Sequence, residues 1–141
     1  NLFSHNSSIE ENGYNGEELK MIEESRKILH DEKIKIATTC VRVPVFRAHS
    51  EALYLEFEKK MTPDAARKIL AKAPGVEVVD DWKNNHFPMP LASSGEYKVS
   101  VGRIREDLSS KNGLALFVAG DQLWKGAALN AVQIAEALIA K

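Results

Sequence analysis

Eight consecutive residues, GLALFVAG at 113–120, contain no charged or hydrogen-bonding side chain. A strand of that composition is apolar on both faces, so it belongs in the interior of a sheet and not at its edge. Just upstream, YKVSVGRIRED (97–107) alternates instead, with Val99, Val101 and Ile104 set between solvated or paired positions and a bulge expected at Gly102. One wholly apolar strand beside one alternating strand commits the chain to a sheet, and the other segments have to be arranged around it.

Those segments divide by period. Residues 1–16 are rich in Asn, Ser and Gly and read as a loop with a short strand at Leu2–Phe3. EELKMIEESRKILHDEK (17–33) has an apolar face of Leu19, Ile22 and Leu29, flanked by Met21 and Ile28, and predicts a helix. Asn15 is its N-cap, and Glu18 is placed to reach back to the cap N–H. From Ile34 to Phe46 the period falls to two, which predicts a strand with Val41, Val43 and Val45 on one side and Cys40, Arg42 and Pro44 on the other. ALYLEFE (52–58) is a second strand. TPDAARKILAKAPG (62–75) is a helix capped by Thr62 with Pro63 at its first position, and VEVVDD (76–81) is a short strand. Residues 82–95 form a long loop of the kind that serves a function or an interface. The last segment, 122–141, predicts a helix capped by Asp121, with apolar residues around most of its circumference, hence wedged between other elements. The order implies an α+β domain, a mixed β-sheet with helices packed on one face, spanning 1–141.

Bulk properties narrow the function. The 141 residues, 44% hydrophobic, suffice for one domain with a core, and the net charge of −1 gives no broad attraction to nucleic acid or an anionic membrane. No apolar run reaches the roughly 18 residues of a spanning helix. A single cysteine excludes an internal disulfide and a multi-cysteine metal site, which suits a reducing, cytoplasmic setting. The chain starts at Asn1, not Met, and is expected to be a processed or trimmed part of something longer.

Few side chains carry chemistry. Arg42 offers a planar fork of donors for a carboxylate, and His49, seven residues on, can exchange a proton. Equally, an edge-strand arginine paired with a glutamate and a histidine at a turn would look the same. Cys40, two residues from Arg42 on the same face, has a cation within reach of its thiol, but a free cysteine in mid-strand reads first as packing. Glu17 and Lys20 have the i, i+3 spacing of an ordinary helical ion pair. Gln122, Asn130 and Gln133 are amides on a helix expected to be packed, so each needs a partner, from backbone or from a ligand. Arg103 and Arg105 point the same way on a strand, as a candidate anion or subunit contact or simply a solvated face. His5, His30 and His86 form no metal-ligand spacing, and no Gly-rich phosphate loop is present.

ATTCVRVPVFRAHSEA, then VGRIRED, then FVAGDQLWKGAALNAVQIAE, together with NLFSHN and GYNGEELKMIEESRKIL, resemble the C-terminal substrate-binding and dimerisation region of aspartate-semialdehyde dehydrogenase. The resemblance covers nearly the whole chain. It implies reduction of L-aspartyl 4-phosphate to L-aspartate 4-semialdehyde with NADPH, in lysine, methionine and threonine biosynthesis. It assigns Arg42 to the substrate carboxylate, His49 to acid/base catalysis, and Glu17 and Lys20 to substrate and phosphate. Gln122 falls to the cofactor, on a helix (121–141) that returns toward a nucleotide domain. A homodimer formed through the sheet is implied as well. The family's nucleophilic cysteine loop and its Gly-rich NADP-binding domain do not occur in this sequence, so the chain is expected to be a partial domain, inactive alone. A stand-alone dimerisation module and a domain like that of N-acetyl-glutamyl-phosphate reductase are the alternatives; the GAALN and VGRIR blocks fit the latter less well.

Overall fold

Strand β1 (Phe3–Ser4), helix α1 (Gly16–Leu29) and strand β2 (Val41–Arg42) lie in the first of two units, Asn1–Pro44, of the computed structural model, which describes residues 1–140. The predicted capping box starts α1. The Glu18 N–H donates to Asn15 Oδ1 at 3.0 Å, and the Asn15 N–H donates to Glu18 Oε2 at 2.9 Å. The helix ends at Leu29 and not at Lys33. His30 adopts a left-handed φ of 53° and its N–H turns back to the carbonyls of Arg26 and Lys27, while Asp31 takes the Lys33 N–H at 2.8 Å.

The strand expected over 34–46 contracts to two residues. β2 pairs antiparallel with β1 in the register Phe3↔Arg42 and Ser4↔Val41. A ladder extends only as far as its partner, β1 offers two residues, and Pro44 has no N–H to donate. Alternation alone could not show that the partner was missing.

The second unit, Val45–Lys141, contains β3 (His49–Glu56), α2 (Pro63–Leu70), β4 (Val76–Val78), α3 (Pro90–Ser93), β5 (Val99–Glu106) and β6 (Gly113–Gly120). A π-helical turn (Trp124–Ala128) leads into α4 (Leu129–Ile139). The sheet order is β3-β6-β5-β4, antiparallel except for the parallel pair β4–β5, so it is mixed. The apolar run forms the central β6, with Leu114, Ala115, Leu116 and Ala119 buried. Leu114 and Leu116 join Val101 and Ile104 under Ala66 of α2, with Leu53, Leu70 and Val118 packed around them. Ser100 points to the opposite face, where α3 rests through a 3.4 Å contact between the Ser93 and Ser100 hydroxyls. The fold is α+β, with α2 as its principal helical layer.

The bulge lies where Gly102 predicted it: the β5–β6 register shifts between Gly102 and Arg105. A Cβ at Gly102 would collide with the Val79 carbonyl and the Pro88 ring. Asp80 pins the irregularity, accepting the Arg103 N–H at 2.7 Å and Arg67 Nε at 2.8 Å. Arg103 has φ 54°, and its guanidinium stacks over Phe87 and Trp82 at 4.9 and 5.4 Å. It is therefore held on aromatic rings supplied by the long loop, not displayed beside Arg105 on a regular strand.

The final helix departs most from expectation. Asp121 is not the cap: its Oδ1 accepts the Leu123 N–H at 3.0 Å just ahead of the helix, which begins with a π-helical turn capped at Leu123 without a side-chain bond. α4 is not wedged: Val132, Ile134 and Leu138 are 55%, 56% and 68% exposed. Apolar residues around a helix signal a capacity for burial, which needs a partner surface. Among the described residues, only the π-turn from which α4 grows makes a substantial contact with it.

Candidate functional site

His49 opens β3 and pairs across the sheet with Gly120, the last residue of β6. A glycine in that register leaves no cross-strand side chain beside the imidazole, which is exposed. Before it, Ala48 is buried with φ 78°, and its N–H donates to Gln122 Oε1 at 3.0 Å. A left-handed conformation in a residue with a Cβ costs about 1–3 kcal/mol, so Ala48 stays there because its surroundings hold it.

The surroundings are polar. Arg47 Nη2 contacts Asp121 Oδ2 at 2.6 Å, and the Asp121 side chain is completely buried. The same carboxylate accepts the N–H of Gly95 at 2.6 Å and of Leu123 at 3.0 Å. Burial pushes the Asp121 carboxyl up, but the Gly95 N–H, the Arg47 guanidinium and the Leu123 N–H together outweigh it and hold the group below its ordinary 3.8. The Arg47 carbonyl in turn accepts the Ser94 hydroxyl at 3.3 Å.

In the first unit, Glu17 and Lys20 form the expected i, i+3 ion pair at 3.3 Å on the surface of α1. The Glu17 N–H is held by Ser7 Oγ at 3.2 Å, which also donates to Asn15 Oδ1 at 3.2 Å. The neighbouring Glu18 is buried, and its Oε1 accepts the Cys40 N–H at 2.8 Å, tying the start of α1 to the residue before β2. Backbone N–H groups of Asn15 and Cys40 hold its carboxyl below the ordinary 4.5. Arg42 stands exposed on β2, and no hydrogen bond or ion pair among the described residues occupies its guanidinium fork. Cys40 rests against Met21, with its Sγ 3.3 Å from Met21 Sδ.

The structure thus brings Gln122 onto Ala48, the residue before His49, in the second unit, and Glu17 and Lys20 together in the first, where Arg42 also lies. Gln122 was expected to face a cofactor; its carbonyl faces the chain that carries His49, leaving the amide NH₂ as a donor. Gln133 finds a neighbour on its own helical segment, accepting from Lys125 Nζ at 2.7 Å. Of the scattered histidines, His5 bonds Ser7, His30 ends α1, and His86 closes a backbone bridge with Asp81. No group of three or more His, Cys, Asp or Glu able to hold a metal ion occurs among the described residues. Nor is any helix there long and apolar enough to cross a membrane. Sequence reasoning missed Arg47, Ala48 and Asp121 as a set. Their only signal was a charge at each end of otherwise apolar stretches.

These features define a class: an α+β domain with an exposed histidine fixed at the end of its sheet and an unoccupied arginine on a separate short ribbon. The particular family follows from comparison with known proteins. The family model described as semialdehyde dehydrogenase, dimerisation domain, matches residues 1–125, and the chain belongs to that family. It is 58% identical over 139 residues to aspartate-semialdehyde dehydrogenase of Synechocystis sp., covering 99% of this chain and 41% of that protein. Against the enzyme of the same name from Aquifex aeolicus it is 50% identical over 139 residues, covering 99% and 41%. Among solved structures, aspartate semialdehyde dehydrogenase II of Vibrio cholerae complexed with ASA superposes with a TM-score of 0.93 at 38% identity, covering 100% of this chain and 41% of that one. The Candida albicans enzyme with NADP gives 0.78 at 25% identity, covering 99% and 44%. The chain therefore spans about two-fifths of the length of the relatives it matches.

Proposed function

We propose that this chain is the substrate-binding and dimerisation part of an NADPH-dependent aspartate-semialdehyde dehydrogenase that reduces L-aspartyl 4-phosphate to L-aspartate 4-semialdehyde, in lysine, methionine and threonine biosynthesis. The observation that carries this reading is the match to enzymes of that name along essentially the full chain, at up to 58% identity. Residues 1–141 act as one partial domain, and 121–141 turn toward the nucleotide domain. The exposed apolar residues of α4 suit that packing.

In this scheme Arg42 grips the substrate carboxylate with its free fork. Glu17 and Lys20 attend substrate and phosphate, exchanging their mutual contact for the ligand. His49 takes a proton at a ring nitrogen as the nucleophile attacks, and returns it when the thiol is released. The nucleophilic cysteine and the nucleotide cradle are supplied from the rest of the protein, since Cys40 is engaged with Met21. NADPH supplies the hydride. Of the residues here, Gln122 fits the cofactor best: its Oε1 is committed to Ala48, so the remaining NH₂ can donate to a carboxamide oxygen.

The homodimer would form through the sheet. β3 is an edge strand whose exposed Tyr54 and Leu55 would be covered by a second copy. A single cysteine suits the cytoplasm as the working compartment.

The test is kinetic. The full-length protein containing this chain should oxidise aspartate semialdehyde in the presence of phosphate and NADP, and the isolated 141 residues should not. Activity in the isolated chain, or none in the full-length protein, would overturn the proposal.

A further inference from the structure

We infer that Arg47 and Asp121, together with the side-chain carbonyl of Gln122, form a clamp whose work is to position His49. The inference rests on the reading of His49 as the acid/base.

Three anchors converge on the two residues that precede His49. The Arg47 side chain is held by Asp121, its carbonyl by Ser94, and the Ala48 N–H by Gln122. Two of the anchoring residues, Asp121 and Gln122, follow directly on Gly120, the register partner of His49. The clamp therefore springs from the end of the strand against which His49 is paired, and it cannot move independently of that strand.

Ala48 shows what the clamp achieves. A φ of 78° interrupts the alternation of a β-strand, so the direction in which His49 leaves the incoming chain is set at Ala48. Released, an alanine would relax toward the extended region and turn the backbone just ahead of the imidazole. Arg47 serves the same end through Nη2, which contacts Asp121 Oδ2 at 2.6 Å. Arg47 and Asp121 are positioning residues, since His49 alone of the set would meet the substrate.

Asp121→Asn in the full-length enzyme tests this, with Arg47→Met as a second variant should the first fail to fold. Each should lower kcat about tenfold or more while KM changes by less than about threefold. In a His49→Asn background the same substitution should lower kcat by less than about twofold, since no imidazole remains to be positioned. An equal loss in both backgrounds, or an unchanged kcat per folded molecule, overturns the clamp. Crystal structures of the variants read it separately from the chemistry: movement of Ala48 φ and the His49 side chain supports it, and unchanged geometry overturns it. A His49→Asn enzyme with full kcat would instead remove the acid/base reading, leaving the clamp to be decided by those structures.

Discussion

Arg42 carries its guanidinium on a two-residue strand with no donor engaged among the described residues, which suits the carboxylate-binding role proposed for it. Arg42→Lys in the full-length protein replaces a bidentate fork by a point charge. It should cost about 1.5–3 kcal/mol of transition-state binding, read as a roughly 10- to 100-fold lower kcat/KM. On the acid/base role proposed for His49, His49→Asn should lower kcat far more than substrate affinity, since the substitution removes the proton carrier and leaves the binding groups. Ala48 tests the backbone. Ala48→Val places a β-branched side chain at φ 78° in a buried position and should destabilise the fold by roughly 1–3 kcal/mol, measured by urea denaturation. Arg42 and His49 were readable as candidates because few other side chains here carry their chemistry. What Gln122 touches was not readable, because Ala48 lies 74 positions away along the chain.

Helix starts were legible because caps are local. Asn15 and Thr62 each accept the N–H three residues on, and the pattern that predicts this lies within one turn. Thr62→Ala should therefore cost about 1 kcal/mol, seen as a lowered thermal midpoint. The bulge in β5 was legible too, from one glycine inside an alternating run. Its necessity comes from Val79 and Pro88, which leave no room for a Cβ. Gly102→Ala should destabilise more than Thr62→Ala, since backbone, not a flexible side chain, would have to move. Strand β2 and helix α4 show the opposite case. Periodicity over 34–46 and apolarity around 122–141 state what a segment can do, not whether a partner is present. β2 found two residues of β1, and α4 found little beyond its own π-turn.

Carboxylates tie the fold together and make it sensitive to acid. Glu18, Asp81, Asp107 and Asp121 are all held below their ordinary values, chiefly by hydrogen bonds that in Asp121 overcome burial. A depressed carboxyl binds fewer protons folded than unfolded, so its contribution to stability is complete above the unfolded values of 4.5 for Glu and 3.8 for Asp. That contribution is lost as the pH falls through the folded values. The urea midpoint should hold steady from about pH 7 to about pH 5 and then drop toward about pH 3. Glu18→Gln should flatten part of that drop, because its carboxylate ties Asn15 to Cys40. Residue order was enough to place the apolar central strand, the caps of α1 and α2, the bulge and the α+β class, because each depends on neighbours within a few positions or on a single repeating face. Contacts distant in the chain settled the rest: the length of β2, the exposure of α4, the stacking of Arg103 and the anchoring of Ala48. No local pattern encodes which side chain arrives from far along the chain, and those arrivals place the groups around His49.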